Sequence, residues 1–227
     1  MTFDIKPSKM LNESKQGNFV FAPVGGICNV QIFDEIDMET CCELIGNLTQ
    51  IINQLPAKHV GSMPTKIISP YDIASDRFVF DVSINSPGGD VMAYKAIMST
   101  FGLAKSRGAI IRTYNIGMAA SCASMIAIQG TPGYRIMSDS AYNFVHYGRS
   151  RVSGGRENEL EIATQNTKKD REQIFSIYEK CTRLTQNELE RYKTIENSGQ
   201  LFAKQCLNKG LCDWILTYDG RLIGRNR

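Results

Sequence analysis

The feature that most constrains the fold is a repeated alternation of strand, glycine turn and helix through the middle of the chain. Arg77-Phe-Val-Phe-Asp-Val-Ser-Ile-Asn85 is rich in aromatic and β-branched residues and reads as a strand broken by Ser86-Pro-Gly-Gly89. At once Val91, Tyr94, Ile97, Met98, Phe101 and Ala104 fall on one helical face, which Gly108 stops. Ala109–Ile116 is the next strand, and after Gly117 an Ala- and Met-rich helix is expected from about Ala119 to Gln129. This order is the mark of right-handed βαβ units stacked on a largely parallel sheet, an α/β fold. In such folds chemistry collects where strands end and helices begin.

The flanks fit the same class. A polar arm to Gly17 precedes short strands at Asn18–Pro23 and Asn29–Phe33, separated by Gly25-Gly26. From Met38, apolar residues recur at spacings of three and four through Leu55, an amphipathic helix that Pro56 ends. Pro56–Asp76 holds three prolines and no helical period, so it reads as an insertion. Tyr134–Met137 and Tyr142–Tyr147 read as strands leading to a polar turn at Arg149–Arg156. A long helix is expected over Glu157–Cys181, then short ones near Glu188–Tyr192 and Leu201–Asn208, and a last strand at Trp214–Tyr218. The expected organisation is an arm and first strand over 1–28, one main domain over 29–213, and a terminal strand and tail over 214–227.

Composition excludes several classes. A chain of 227 residues buries roughly 70–75% of its unfolded surface in one domain, so it needs no metal or disulfide staple. A net charge of +3, with Lys168-Lys169 balanced by nearby Asp170, argues against nucleic acid. No run approaches the roughly 18–20 apolar residues of a membrane span, and the start shows no secretory signal pattern. Seven cysteines, an odd number without CxxC spacing, read as buried thiols in a reducing, cytoplasmic compartment. With only two histidines, His59 and His146, a three-histidine zinc site is excluded, and no metal or cofactor is expected.

Two strand-to-helix junctions carry the chemistry. In Asn85-Ser-Pro-Gly-Gly-Asp90, adjacent glycines bring backbone N–H groups to a helix start, a place suited to a carbonyl oxygen gaining negative charge. In Gly117-Met-Ala-Ala-Ser121-Cys-Ala, a serine among small residues leaves room for a substrate beside its hydroxyl. His146 follows 25 residues after Ser121, near the end of the Tyr142–Tyr147 strand. Together they supply a nucleophile, a base and oxyanion donors, the parts of acyl transfer.

The blocks Ile84-Asn-Ser-Pro-Gly-Gly, Gly117-Met-Ala-Ala-Ser-Cys-Ala-Ser-Met-Ile-Ala, Val145-His, Gly154-Gly155 and Lys209-Gly-Leu-Cys-Asp213 occur in order. In them the chain closely resembles the proteolytic subunit of the Clp protease, the ClpP family with its ClpP/crotonase fold. The resemblance implies Ser121 as nucleophile, His146 as general base, the N–H groups of Gly89 and Cys122 as oxyanion hole, and Gly88 and Gly148 as substrate-binding positions. The family's third triad member is an Asp, and no Asp lies between Asp170 and Asp213. Aligning forward gives Glu196 and counting back gives Ser198; Glu196 is favoured because it brings the charge that steadies an imidazolium, with Asn197 as runner-up. The chain departs from the family in Tyr147-Gly148 after the histidine, where Gln-Pro is usual, and in Cys122-Ala123 after the serine, where Met-Gly is usual.

The resemblance further implies two stacked heptameric rings, joined by a handle at residues 149–181, that enclose the serines. A separate AAA+ unfoldase would deliver unfolded polypeptide, and the chain itself holds no Gly-x-x-x-x-Gly-Lys phosphate loop. A helix of ~24 residues is about 36 Å long, which one such domain does not cover, so a partner subunit is also the physical expectation. Rival readings are a catalytically impaired subunit of a mixed ring and a crotonase-type acyl-CoA enzyme; the Ser121 and His146 pair weighs against both.

Overall fold

The computed structural model of the chain describes residues 18–20, 24, 26–56, 67–146, 157–193 and 199–225. The expected arm to Gly17, His59, and the turn at residues 149–156 lie outside them. Strands β1 (Asn18–Val20), β2 (Ile27–Ile36), β3 (Val79–Gly89), β4 (Ile110–Ala120), β5 (Arg135–Ser138), β6 (Tyr142–Val145), β7 (Gly199–Phe202), β8 (Trp214–Leu216) and β9 (Leu222–Gly224) form one sheet. Its main path runs β1-β2-β3-β4-β5-β8-β9, and β6 joins β4 to β7 as a branch. Pairings from β2 through β8 along the path, and of β6 with β4, are parallel; β1, β7 and β9 pair antiparallel. The α/β class with a predominantly parallel sheet is therefore as the sequence predicts.

Helices α1 (Met38–Gln54), α2 (Val91–Ser106), α3 (Cys122–Ile128), α4 (Glu157–Cys181), α5 (Gln186–Tyr192) and α6 (Ala203–Lys209) fill the connections. Asp37 and Asp90 start the first two by accepting from the backbone N–H groups of Thr40 and Ala93, each at 2.8 Å. The larger core joins Val30 and Ile32 of β2, Phe80, Val82 and Ile84 of β3, and Ile111 of β4 to the buried faces of α1, α2 and α3. Alternation along β3 and β4 turns Val79 and Ile110 to the other face, where they meet Tyr134, Ile67 and Ile73. There Arg112 pairs with Asp81 and stacks over Tyr71, so the end of the insertion is seated on the sheet.

Three local expectations are corrected. β3 is not broken by Ser86-Pro-Gly-Gly but runs to Gly89, because Glu35 and Ile36 of β2 still pair with Gly88 and Gly89. β4 likewise continues through Gly117 to Ala120, paired with β6, so α3 begins at Cys122 rather than Ala119. The expected helix at Leu201–Asn208 is split: Gly199–Phe202 is strand β7 on β6, and only Ala203–Lys209 is helical. Tertiary pairing decides each case, and four-residue strands are too short to show alternation.

Only the end of α4 is packed. Ile174, Phe175 and Tyr178 are buried, whereas no side chain from Glu159 to Gln173 is. Among the described residues no helix is long and apolar enough to cross a membrane.

Asp213 closes the β5 end of the domain. It accepts from Arg135 Nε at 2.8 Å and Nη2 at 2.7 Å, and from the Gly133 N–H at 2.7 Å. Arg135 also donates to the carbonyls of Ile128 and Cys181, tying α3 and α4 to the same point. Asp213→Ala strands a buried guanidinium and is expected to cost about 3–5 kcal/mol. A drop of that size in the urea midpoint at constant m would show it; a change under 1 kcal/mol would place Asp213 with ordinary surface pairs.

Candidate active site

β4 and β6 end side by side. Ala120 stands opposite Phe144, so Ser121 and His146 leave the sheet one and two residues beyond the same rung. Ser121 links β4 to α3 with φ 55 and ψ −124, a conformation an L-residue rarely holds. Such a residue costs about 1–3 kcal/mol and persists only where its surroundings fix it. Here they do: its N–H donates to Phe144 O and its C=O accepts from Met125 N, both at 3.2 Å. Its hydroxyl makes no capping bond to the helix.

Gly88 presses against the same junction. A Cβ built on it would stand 2.6 Å from Ala120 O and 2.7 Å from Ser121 Cβ, and its φ of +91 also demands glycine. Gly89, at φ +152, would collide with Ile36 O at 2.2 Å. Ser86, fully buried, fixes this segment by accepting the Gly88 N–H at 3.1 Å and donating to Asp34 O at 2.5 Å.

Cys122 opens α3, and its thiol donates to Gly89 O at 3.2 Å. Burial pushes that thiol up to about 11, so it stays a neutral donor joining α3 to the end of β3. The half-buried His146 ring lies 5.6 Å from Phe144, tilted by 50°.

A cavity of about 400 Å³ brings Gly88, Gly89, Ser121, Cys122 and His146 together. Gly148, Glu196 and Asn197 lie outside the described residues. Sequence reasoning missed Glu35, Pro87, Val91, Met125, Ile174 and Tyr178, which complete the lining. The apolar pair Ile174 and Tyr178, four apart at the end of an otherwise polar helix, was a readable signal for two of them. Among the described residues no cluster of three His, Cys, Asp or Glu could hold a metal. A hydroxyl, an imidazole and a helix start that leaves its first N–H groups without intrahelical partners are suited to acyl transfer.

A buried polar link holds the two halves of this site. Ser124 of α3 donates to Asn143 Oδ1 of β6 at 2.5 Å and shares a hydrogen bond of 2.7 Å with Tyr178 OH of α4. Ser124 is three residues from Ser121 and Asn143 three from His146, so the link ties the serine's helix to the histidine's strand.

The Clp protease family model matches residues 80–219. The ATP-dependent Clp protease proteolytic subunit 2 of Streptomyces coelicolor is 32% identical over 136 residues, 60% of this chain and 60% of that protein. The ATP-dependent Clp protease proteolytic subunit of Streptococcus mutans is 31% identical over 134 residues, 59% of this chain and 66% of that protein. The chain thus matches between 60% and 66% of the length of these curated relatives.

Ser124→Ala leaves Tyr178 OH and Asn143 Oδ1 buried without their partner, at an expected cost of about 1–3 kcal/mol. Tyr178→Phe keeps the Ser124 to Asn143 bond and should cost about 1 kcal/mol. Urea unfolding that ranks Tyr178→Phe as the more damaging would show that the link does not run through Ser124.

Proposed function

The chain belongs to the Clp protease family, and from that membership we propose that it is a serine endopeptidase acting on unfolded polypeptide. The observation that carries this reading is the single cavity onto which Ser121, held in a strained strand-to-helix junction, and His146 both open. His146 takes the Ser121 hydroxyl proton as Oγ attacks the peptide carbonyl; collapse of the tetrahedral intermediate breaks the C–N bond and passes that proton to the departing amine. Water, activated by the same imidazole, then hydrolyses the acyl ester and restores the hydroxyl.

The N–H groups of Gly89 and Cys122 are the proposed oxyanion donors. The Asp90 N–H is spent on Ile36 O at 2.7 Å, on the β2 side. The reading is supported by Gly89 and Cys122 both lining the cavity with Ser121, and by Cys122 N being the first of its helix. Gly88 and Gly148 are the proposed substrate-backbone positions. The third triad role is assigned to Glu196, ahead of Asn197, since only the carboxylate adds charge beside the imidazolium.

The rest of the reading concerns assembly. The unburied stretch of α4 from Glu159 to Gln173 supports its use as a handle between subunits, in two stacked heptameric rings. An AAA+ unfoldase as a separate partner is supported by the lack of a phosphate loop in this sequence. Seven free cysteines, five of them buried, suit a reducing compartment such as the cytoplasm.

A fluorophosphonate probe is expected to modify wild-type protein at Ser121 and to leave Ser121→Ala unmodified. An unlabelled wild type, or a labelled alanine variant, would remove Ser121 from the nucleophile role. For the acid, Glu196→Gln should lower peptide turnover by about 10²-fold or more, and Asn197→Ala far less. The opposite ranking transfers the third role to Asn197.

A further inference from the structure

We propose that Tyr178 is a positioning residue for the attack by Ser121: its hydroxyl, acting through Ser124 and Asn143, sets the serine's helix against the strand that carries His146. This rests on the peptidase reading above.

The hydrogen bonds have one consistent direction. Asn143 Oδ1 only accepts, so the single Ser124 hydroxyl proton is committed to it at 2.5 Å. The Ser124 oxygen is then left to accept the Tyr178 proton at 2.7 Å, which makes the phenol the donor that orders the chain. Ser124 is 0%, Tyr178 1% and Asn143 2% exposed, so water offers none of them an alternative partner. Burial pushes the Tyr178 phenol well above its usual range and keeps it a neutral donor at any working pH.

This chain ends where the reacting groups begin. Ser124 lies in the first turn of α3, next to Ser121, and Asn143 precedes His146 on the exit from β6. A second bond, from Ser121 N–H to Phe144 O at 3.2 Å, crosses the same gap. Two bonds a turn apart fix how α3 is rotated against β6, whereas one alone acts as a pivot. Without the Tyr178 proton the Ser124 hydroxyl is released to turn toward Ser121 O, three residues back, as serines in helices commonly do. The junction then keeps only its pivot. Tyr178 is also a lining residue of the cavity, so Tyr178→Phe retains the ring in the wall and removes the ordering proton alone.

Saturation kinetics of Ser121 modification by the fluorophosphonate test this without requiring turnover, at a temperature where circular dichroism shows every variant folded. A displacement of about 1 Å at reacting groups costs on the order of 10²-fold, so the partial loosening in Tyr178→Phe should lower the maximal modification rate about tenfold. The half-saturating probe concentration should stay within about twofold, the split expected when orientation and not binding is lost. Ser124→Ala should lower the maximal rate at least as far, and adding Tyr178→Phe to it should change nothing more, because the two act as one unit. An unchanged maximal rate in Tyr178→Phe, a higher half-saturating concentration in place of a lower rate, or an equal effect of Tyr178→Phe with and without Ser124 overturns the proposal, while labelling of wild-type Ser121 leaves the peptidase reading standing. No labelling of wild-type Ser121 overturns both.

Discussion

The site depends on a contact between two backbones. The end of β3 lies so close to the β4 to α3 junction that an alanine at position 88 would put its Cβ 2.6 Å from Ala120 O and 2.9 Å from Cys122 N. Only glycine permits that approach, and only glycine accepts the φ of +91 that aims the strand there. The closeness sets the backbone of residues 88 and 89 beside Ser121 along one cavity.

Holding such a junction requires anchors, since Ser121 itself is strained. Two buried polar clusters supply them from opposite directions. Ser124 joins α3 to β6 and α4, and Arg135 ties the far end of α3, through Ile128 O, to Asp213 and to the last turn of α4. In a low-dielectric interior satisfied groups of this kind fix one arrangement, because every alternative leaves a donor or acceptor unpaired. The apolar packing of α3, buried at all seven positions, supplies burial energy but little positional specificity.

Much of this was legible in the sequence where periodicity is long. α1 and α4 appear where apolar spacing and the breaker Pro56 put them, and the paired glycines and Ser121 mark the two junctions that meet. What was not legible arises from contacts between distant segments. β3 and β4 extend through glycine-bearing turns because neighbouring strands keep hydrogen-bonding them, and β7 exists only as the partner of β6. Glu35 shows the same limit: nothing in Asp34-Glu35-Ile36 marks it, and only its pairing with Gly88 beyond the register shift sets it in the lining of the cavity.

The long helix argues for association on physical grounds alone. Helices in proteins draw most of their stability from packing an apolar face, and Glu159–Gln173 buries none of its side chains. Within this stretch Asp170 pairs with Lys95 at 2.6 Å through two side chains that are each more than a third exposed. A pair of that kind contributes at most about 1 kcal/mol and weakens with salt. Ile162, 58% exposed, lies near the start of the same stretch. Covering that residue and its helix with a second copy would supply the packing that the chain itself does not give this stretch.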